Sequence, residues 1–385
     1  MPHAIAIVGA GIGGLTCAVA LRRLGLEAHV FEQAPELGEV GAGIGLWRGA
    51  VRCLEEIGMG DGFWTARVCP FEYAEIGTPD GRILTRLDVT EMTRDARCFV
   101  VRRAHLHAAL AAGLDPSQVT RGARCVGVEQ DADGVTLRFA NRTEARARVV
   151  IGADGLRSAV RAALVGPREP RYSGETCYRG LASFAVRELG ALREVQGSGL
   201  RCAVHPLDAA NVYWWATRRT PEGREESQEE RKAVLERSFR GWTFGFPEAL
   251  AATVPDAILK NDLYDRPALR SWTSARVTLL GDAAHPTTPN LGLGGCMAIE
   301  DGLVLARALA ENAGDHTRAF AQYERERMAR TTLAVRMSST FGWLGSVTSP
   351  AAVRLRELVT GATPTWMMAR SFRQQVAYDP GRLRR

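Results

Sequence analysis

Residues 4–32 combine an apolar run, a cluster of glycines, a helix-forming stretch and a terminal acid, and this order constrains the fold more than any other feature of the chain. Residues 4–8 are uniformly apolar, which is typical of a buried parallel strand. Gly9, Gly11 and Gly14 follow with the spacing G-x-G-x-x-G, at the point where such a strand turns into a helix. The beginning of the chain therefore predicts a strand–turn–helix–strand unit of a doubly wound α/β fold.

Each glycine of this turn has a separate mechanical role, and together they indicate a dinucleotide ligand. Gly9 permits the tight turn, Gly11 lets the backbone approach a pyrophosphate at the helix N-terminus, and Gly14 lets helix and strand pack closely. Glu32 ends the second strand about 20 residues further on, where a carboxylate accepts hydrogen bonds from ribose hydroxyls. The alternative is a plain βαβ unit without this ligand.

Composition and charge narrow the class of protein. A chain of 385 residues exceeds one ordinary core, and 46% hydrophobic residues are enough to fill two domains and an appendage. The net charge of +6 does not indicate a nucleic-acid partner, because the basic residues are dispersed and no basic run alternates with stacking aromatics. The eight cysteines show no C-x-x-C and no paired spacing, so we expect neither a metal site nor disulfides, and a reducing cytoplasm as the location.

An uncharged stretch at residues 4–21 has the composition of a membrane helix or a signal peptide. Its glycine cluster weakens a helical span, and Arg22, the first basic residue apart from histidine, follows the stretch rather than preceding it. We therefore expect no export signal and no transmembrane segment.

Further segments extend the first unit into a larger fold. Residues 149–155 are Val-Val-Ile-Gly-Ala-Asp-Gly and residues 277–282 are Val-Thr-Leu-Leu-Gly-Asp, two apolar strands that each end in glycine and acid. Residues 79–81, Pro-Asp-Gly, predict a hairpin turn, and residues 172–268 are rich in aromatic and strand-like runs. Residues 299–310 carry one apolar face of a helix.

These patterns predict a discontinuous nucleotide-binding domain, a substrate domain and a helical appendage. The nucleotide-binding domain comprises residues 1–70, 98–171 and 269–330. The substrate domain comprises residues 71–97 and 172–268, and the C-terminal helical segment comprises residues 331–385.

The order of the three motifs, G-x-G-x-x-G, Asp154-Gly155 and Gly281-Asp282, resembles that of the single-component FAD-dependent aromatic hydroxylases. This is the flavoprotein monooxygenase family of salicylate hydroxylase and para-hydroxybenzoate hydroxylase. The segment from Gly281 to Asp301 is especially similar to the branch that contains salicylate hydroxylase and zeaxanthin epoxidase. The resemblance implies an α/β fold with a Rossmann-like, discontinuous FAD-binding domain, a mixed β-sheet substrate domain and a C-terminal helical segment.

The resemblance also assigns residues to the nucleotide half of FAD. It implies that Gly9, Gly11 and Gly14 hold the pyrophosphate and that Glu32 binds the adenosine ribose. Arg103, which opens a helix, would bind a phosphate or ribose oxygen. The alternative for Arg103 is a solvated arginine at a helix start.

The later motifs are assigned by the same resemblance to the other parts of the cofactor. Asp282 would accept hydrogen bonds from the ribitol chain, and Asp154 belongs to a motif linked to the pyrophosphate and to nicotinamide-nucleotide use. Backbone N–H groups of Leu293, Gly294 and Gly295 at a helix N-terminus would stabilise negative charge on the pyrimidine edge of the flavin. The alternatives are a loop-ordering carboxylate for Asp282 and a strand-end cap for Asp154.

The chemistry that the resemblance implies belongs mainly to the cofactor. NAD(P)H, a transient co-substrate, reduces FAD, O2 adds to give a C4a-hydroperoxide, and one oxygen passes to an aromatic or other electron-rich small molecule by hydroxylation or epoxidation. The chain has no second G-x-G-x-x-G unit for NAD(P)H, in agreement with a family in which the nicotinamide binds without its own domain. We expect an aromatic or polycyclic small-molecule substrate and a monomer or homodimer.

The strand-rich segment supplies the candidate substrate residues. Arg201 and Tyr213 have a spacing that resembles a urate-hydroxylating branch, in which an arginine and a tyrosine face the substrate. In such a pair a cationic arginine holds a phenolate or carboxylate, and a tyrosine relays its proton. The alternative is an edge-strand arginine and a core-anchored tyrosine. Arg179 matches the arginine of the family's Trp-Arg-Gly element. The resemblance leaves two alternatives for Arg179, a position near the flavin or a structural role. The urate branch has an acid where this chain has Asn290, which counts against urate.

Two functions remain open from the sequence. One is an FAD monooxygenase, and the other is an FAD-dependent dehydrogenase or reductase of the same fold without oxygen transfer. Arg48 and Leu293 depart from the residues common in the family near the flavin or substrate entrance, and this leaves the substrate open.

Overall fold

The structure is a computed structural model and describes residues 3–38, 41–66, 68–93, 97–184 and 190–383. The strands in chain order are β1 (His3–Val8), β2 (Ala28–Phe31), β3 (Gly43–Leu46), β4 (Val68–Pro70), β5 (Tyr73–Gly77), β6 (Ile83–Asp88), β7 (Phe99–Arg102), β8 (Val119–Thr120), β9 (Cys125–Gln130), β10 (Val135–Phe139), β11 (Glu144–Gly152), β12 (Arg171–Ser183), β13 (Ala191–Gln196), β14 (Leu200–Pro206), β15 (Asn211–Arg219), β16 (Leu259–Asp265), β17 (Thr273–Ser274) and β18 (Val277–Leu279).

The α-helices in chain order are α1 (Ile12–Arg23), α2 (Arg48–Glu56), α3 (Asp61–Ala66), α4 (Val89–Thr93), α5 (Arg103–Ala111), α6 (Ala159–Val165), α7 (Gln228–Ser238), α8 (Phe246–Ala251), α9 (Gly294–Glu311), α10 (His316–Gly345), α11 (Pro350–Ala362) and α12 (Thr365–Val376). In the described part of the chain no helix combines the length and the apolarity that crossing a bilayer requires.

A mostly parallel sheet has β1 at its centre, as the apolar run at residues 4–8 predicts. Strands β2 and β11 flank β1 in parallel, and β18 continues the sheet beside β11. The order is β17-β18-β11-β1-β2-β8, and in addition β10 pairs antiparallel with β11 and β9 pairs antiparallel with β10. Helix α1 packs against α9 and α5. The predicted α/β fold class is confirmed.

The register of this sheet brings three sequence motifs to one edge. Val8 lies opposite Gly152, and Gly152 lies opposite Leu279, so β1, β11 and β18 end side by side. The turns that follow are joined by hydrogen bonds from the N–H of Ala153 to the carbonyl of Val8 (2.8 Å) and from the N–H of Leu280 to the carbonyl of Gly152 (2.9 Å). The carboxyl ends of parallel strands form the usual ligand edge of such sheets.

A second, largely antiparallel sheet has the order β16-β12-β15-β14-β13-β5-β6. The hairpin β5–β6 is antiparallel and turns at residues 78–82, which confirms the hairpin predicted from Pro-Asp-Gly. Strand β5 pairs in parallel with β13 and so joins the hairpin to the later strands. Helices α7 and α8 enclose a separate apolar core on this sheet with the side chains of Trp214, Phe239 and Phe246. Strands β3, β7 and β4 form a small third sheet.

The end of the chain is helical. Helix α10 packs on α9, and helices α11 and α12 pack against β6, with α12 also touching α4. These contacts place the C-terminal helices beside the large antiparallel sheet.

Candidate active site

Two cavities among the described residues meet at the turn after β1. One, of about 680 Å³, lies along the ends of β1 and β2 and reaches the start of β9. The other, of about 440 Å³, runs from the same turn across the end of β18 to the large antiparallel sheet. Gly11, Ala153 and Gly155 line both cavities. The pair therefore forms an elongated space with the glycine turn at its middle.

The glycines of this turn are required for two different reasons. Gly9 has φ +108°, and a Cβ there would lie 2.4 Å from the carbonyl oxygen of Ala153. A Cβ on Gly14 would lie 2.1 Å from the carbonyl oxygen of Gly9. A Cβ on Gly11 would meet no protein atom within 4 Å, because Gly11 faces the open cavity. Gly9 and Gly14 are thus needed by the fold itself, whereas Gly11 leaves room for a ligand.

The N-terminus of α1 gives this open space its charge preference. Gly11 is the N-cap residue, and the first turn of the helix contains no acidic side chain. Unpaired N–H groups at a helix start favour an anion. The space in front of Gly11 therefore fits the pyrophosphate of a dinucleotide.

Glu32 lies in the larger cavity and is held by the backbone. Its carboxylate accepts hydrogen bonds from the N–H groups of Ala10 (2.6 Å) and Ala34 (2.8 Å). These contacts fix its orientation at the end of β2, beside the glycine turn.

Asp154 lines the same cavity but also caps a helix. Its carboxylate accepts hydrogen bonds from the N–H groups of Ala159 (2.7 Å) and Val160 (3.1 Å) and from the hydroxyl of Ser158. Burial raises the pKa of Asp154 against the effect of these bonds. The strand-end cap that the sequence left open is thus present, and a role of Asp154 towards a nucleotide stays a prediction.

Asp282 faces the smaller cavity from the short 3-10 helix Gly281–Ala283. The side chain is exposed to this cavity, but desolvation by the surrounding protein raises the pKa of its carboxyl, and the charges of His285 and Arg103 oppose this shift. Arg103 stands at the start of α5, lines the same cavity and packs its aliphatic stem against Gly41. The site thus holds a carboxylate that is open to the cavity and a nearby cation. A carboxylate accepts hydrogen bonds from hydroxyl groups and a cation attracts phosphate, so the pair suits a hydroxylated chain attached to phosphate.

The start of α9 forms the opposite wall of this cavity. The helix begins at Gly294, with Leu293 as its buried N-cap residue. Gly294 and Gly295 line the cavity, and a Cβ on Gly295 would lie 2.5 Å from Cδ1 of Ile44. The first turn contains no acidic side chain, so its positive end favours negative charge on a bound group.

A buried charge cluster beneath this wall was not found from the sequence. Asp301 accepts from Nε of Arg327 (2.7 Å) and from the N–H of Gly281 (3.1 Å), and its other contact is Nε2 of His285 (2.6 Å). Burial opposes ionisation, but the charges of His285 and Arg327 lower the pKa of Asp301 to about 2. Glu300 joins the cluster through Arg327 at 2.8 Å. The sequence does contain one sign of this cluster, the adjacent acids Glu300 and Asp301 within the apolar face of α9. Buried charges need partners, so two acids at buried positions indicate a nearby cation.

Polar and aromatic side chains of the antiparallel sheet line the far end of the smaller cavity. Tyr213 is nearly buried there, and burial raises the pKa of its hydroxyl. The indole Nε1 of Trp215 donates to Nε2 of His205 at 3.1 Å, so the proton of the neutral ring lies on Nδ1. Burial lowers the pKa of His205 to about 4. Nδ1 of His205 has no hydrogen-bond partner within the described residues.

The two candidate arginines lie in different surroundings. Arg179 lines the cavity, and its Nη2 donates to Oδ1 of Asn261 at 2.7 Å. Arg201 is 1% exposed, and its Nη2 donates to both carboxylate oxygens of Glu175 (3.1 Å) and to Oδ1 of Asn290 (2.6 Å). Arg201 is not among the residues that line the cavity, whereas Tyr213 is. The structure therefore brings Arg179 and Tyr213 to one cavity and surrounds Arg201 with protein groups.

The C-terminal helices supply an apolar wall that sequence reasoning missed. Phe341 of α10 and Met368 and Phe372 of α12 line the smaller cavity, facing Ile76 and Leu87 of the β5–β6 hairpin. The rings of Phe341 and Phe372 pack edge to face at 5.5 Å. Apolar residues on a helix resemble any core face in the sequence, so no pattern marked them as part of a site.

Comparisons with known proteins define the class. The chain matches the family model described as FAD binding domain over residues 3–338. It is 37% identical to the aurachin C monooxygenase/isomerase of Stigmatella aurantiaca over 92% of both chains. It is 33% identical to the FAD-dependent urate hydroxylase of Mycolicibacterium vanbaalenii over 85% of this chain and 84% of that protein.

A solved structure extends the comparison to the fold. Klebsiella pneumoniae HpxO complexed with FAD and uric acid superposes with a TM-score of 0.89 at 28% identity, over 97% of this chain and 96% of that one. The chain belongs to the FAD-dependent monooxygenases of the aromatic hydroxylase type. Within that family it binds FAD and acts as a monooxygenase, and the alternative of a flavoprotein without oxygen transfer is disfavoured.

Proposed function

We propose that this enzyme consumes NAD(P)H and O2 and places one oxygen atom on a small aromatic or polycyclic molecule. The observation that supports the proposal most is the continuity of the smaller cavity. It joins Asp282 and the start of α9 to the sheet that carries His205 and Tyr213. A flavin and a substrate therefore fit side by side within one space.

FAD would extend through both cavities with its pyrophosphate at Gly11. Glu32 would bind the adenosine ribose, Arg103 a phosphate or ribose oxygen, and Asp282 the ribitol hydroxyls. The open space at Gly11 and the unpaired start of α1 fit this arrangement. When bound, FAD supplies the electron transfer and the activation of O2.

The pyrimidine edge of the flavin would lie against the start of α9, at Leu293, Gly294 and Gly295. The positive end of this helix stabilises negative charge on a bound ring system by electrostatics alone. The three nucleotide-binding segments of the chain would thus hold the cofactor, and the substrate domain would hold the molecule that is oxygenated.

His205 and Tyr213 would contact the substrate directly. The Nδ1–H of the neutral His205 ring would donate a hydrogen bond to the substrate, and Trp215 keeps that tautomer by donating to Nε2. The hydroxyl of Tyr213 relays a proton to or from a substrate oxygen. Arg179 would lie near the flavin side of the same cavity. Arg201 would bind an anionic substrate only after releasing Glu175 or Asn290, because both now accept from its Nη2.

The apolar wall of the cavity would exclude water during the reaction. Phe341, Met368 and Phe372 present carbon and sulfur surface to the cavity. Exclusion of water limits the side reaction that releases H2O2 and so favours oxygen transfer to the substrate. Aromatic substrates also gain contact area against such a wall.

The test is a substrate screen on the purified enzyme. Phenols, quinolones and polyketides are incubated with the yellow protein and with NADH or NADPH, and O2 consumption, H2O2 and product mass are followed together. We expect one compound class to stimulate NAD(P)H oxidation and to yield a product one oxygen heavier with little H2O2. NAD(P)H oxidation that yields only H2O2 with every aromatic tested, or oxidation of the substrate without O2, would overturn the proposal.

A further inference from the structure

The outer side of the C-terminal helices concentrates the exposed apolar side chains of the molecule. Among the described residues twelve large apolar side chains are exposed, and eight of them lie on α10, α11 and α12. We name this set the C-terminal apolar face, and its members are Leu333, Trp343, Leu344, Leu355, Leu358, Val359, Trp366 and Met367. Exposed apolar residues that cluster in this way mark an interaction site, whereas scattered ones do not.

On α10 and α11 these residues recur as a strip with helical spacing, and α12 adds the adjacent pair Trp366 and Met367. On α11 the strip runs through Leu355, Leu358 and Val359, and on α10 it includes Leu333, Trp343 and Leu344. Leu358 and Trp343 are each 68% exposed. An apolar strip on the inner side of a helix packs against the hydrophobic core. An apolar strip that faces water on three neighbouring helices requires another explanation.

The three helices are neighbours, so their strips belong to one region. Arg356 of α11 is buried and donates from Nη1 to the carbonyl of Gly345 at the end of α10 (3.3 Å). Phe372 of α12 packs against Phe341 of α10, and both α11 and α12 pack on β6. The arrangement is held from the inside, which leaves the outer side chains without a structural task.

The charges that the helices of this face themselves carry are almost entirely positive. Residues 331–376 contain five arginines, and Glu357 is their single carboxylate. Glu357 is already paired with Arg82 at 2.7 Å. Arg354 and Arg370 are exposed, and neither makes an ion pair within the described part of the chain. Within residues 331–376 the face therefore combines tryptophan, leucine and exposed arginine, and its one carboxylate is already paired.

We propose that the C-terminal apolar face docks the enzyme on the surface of an anionic phospholipid bilayer. Tryptophan rings and leucines enter the boundary between headgroups and acyl chains, and the arginines pair with lipid phosphates. The occupant is a lipid surface rather than a second copy of the chain, because a face whose arginines lack carboxylates repels an identical face. Charge complementarity selects an anionic bilayer.

The docking face lies on the outer side of the helices that line the smaller cavity. Phe341 lies on the inner side of α10, and Met368 and Phe372 line the cavity from α12. Docking would thus hold the apolar wall of the cavity next to the bilayer, where lipid-soluble aromatic molecules are concentrated. The docking itself does not depend on which reaction the enzyme catalyses.

The test uses the FAD-loaded enzyme and sedimentation with vesicles. Vesicles of phosphatidylglycerol and phosphatidylcholine are compared with vesicles of phosphatidylcholine alone, at low and high salt. We expect binding to the anionic vesicles, loss of binding at high salt, and little binding to phosphatidylcholine alone. Tryptophan fluorescence should shift to shorter wavelength on binding, because Trp343 and Trp366 leave water.

Two double variants separate the apolar and the charged contributions. Trp343→Ser with Trp366→Ser should abolish the fluorescence shift and most of the binding. Arg354→Gln with Arg370→Gln should weaken binding about 25-fold, which corresponds to about 1 kcal/mol for each arginine near an anionic surface. All four side chains are exposed, so flavin content and melting temperature should match the wild type.

Exposed residues of the same type elsewhere serve as matched controls. Val254→Ser, at a position that is 63% exposed, and Arg237→Gln should leave vesicle binding unchanged. Absence of binding to anionic vesicles, or equal losses in the control variants, would overturn the proposal. A wild-type dimer in sedimentation-velocity runs that the two tryptophan substitutions convert to monomer would also overturn it, since a second copy would then cover the face.

Discussion

At the scale of single residues, the glycines of the turn after β1 have two different roles. Packing of the fold requires Gly9 and Gly14, whereas the proposed FAD site requires Gly11. Gly14 is packed against the carbonyl of Gly9, whereas Gly11 faces open space. Gly11→Ala should therefore fold normally and lose FAD, because the added methyl occupies the place of the pyrophosphate. The flavin absorbance of the purified variant measures this loss, with the melting temperature as the check on folding.

Gly14→Ala is the matched comparison for Gly11→Ala. Its Cβ would lie 2.1 Å from a backbone oxygen, so this variant should lose stability along with FAD. Full flavin occupancy in Gly11→Ala would contradict the placement of the pyrophosphate.

Asp282 offers a second test at this scale. Its carboxylate is open to the smaller cavity, and Asp282→Ala removes an acceptor for the ribitol hydroxyls. Loss of a hydrogen bond to a charged group costs about 1.5–3 kcal/mol, so FAD affinity should fall roughly ten- to a hundredfold. Fluorescence titration of the apoenzyme gives the dissociation constant. Asp256→Ala, at an exposed position, should leave it unchanged, and an unchanged constant in Asp282→Ala would reduce this carboxylate to a loop-ordering role.

Tyr213 tests the substrate end of the cavity. Tyr213→Phe keeps the ring that packs beneath Gly43 and removes only the hydroxyl. We expect unchanged flavin content and a kcat lower by about 10²–10⁴-fold, the usual contribution of general acid–base assistance. Product formation and H2O2 release, measured together, should show more peroxide per NAD(P)H consumed. Wild-type kcat and wild-type coupling would return Tyr213 to a core-anchoring role.

At the scale of helices and strands, the buried cluster of Asp301 ties α9, α10 and the loop after β18 together. Asp301→Asn leaves Arg327 with one fewer charged partner, and breaking a buried pair of this kind costs about 3–5 kcal/mol. Urea unfolding of the FAD-free protein measures the difference in free energy of unfolding. Glu129→Gln, which breaks a solvent-exposed pair with Arg138, should change the free energy of unfolding far less.

The same cluster predicts a pH dependence with a defined sign. The pKa of Asp301 is lowered to about 2 in the folded protein, below the ordinary ~3.9 of an aspartate. The stabilisation is therefore complete above about pH 4 and is lost as the pH falls towards 2. The difference in stability between wild type and Asp301→Asn should shrink over that range. A difference that stays constant down to pH 2 would contradict the assigned charge state.

Some of the elements that form the site could be predicted from the sequence, and others could not. The strands β1, β11 and β18 were predicted because each is marked by a short apolar run, and their ends meet because the carboxyl ends of parallel strands share one edge. The partner of Arg201 was not predictable, since the register of β12, β15 and β14 decides that Glu175 lies beside it. The wall at Phe341 was missed because long-range packing alone brings α10 to the cavity.

At the scale of the whole molecule, the site exists only where separate parts of the chain meet. The parallel sheet supplies the glycine turn and Asp282, the antiparallel sheet supplies His205 and Tyr213, and the C-terminal helices close the apolar side. In the proposed function, a cofactor bound by one sheet would thus lie beside a substrate bound by the other. Sequence motifs identify the first half of this arrangement because FAD binding needs particular glycines and acids. The substrate half uses ordinary core residues and carries no comparable motif.

The most direct test of the account is the origin of the oxygen in the product. The FAD-loaded enzyme is incubated under ¹⁸O2 with NAD(P)H and the aromatic compound that the screen identifies, and the product is analysed by mass spectrometry. We expect a single ¹⁸O atom in the product and one NAD(P)H consumed for each product formed. A product that carries oxygen from water, or that is oxidised without gaining an oxygen atom, would contradict it.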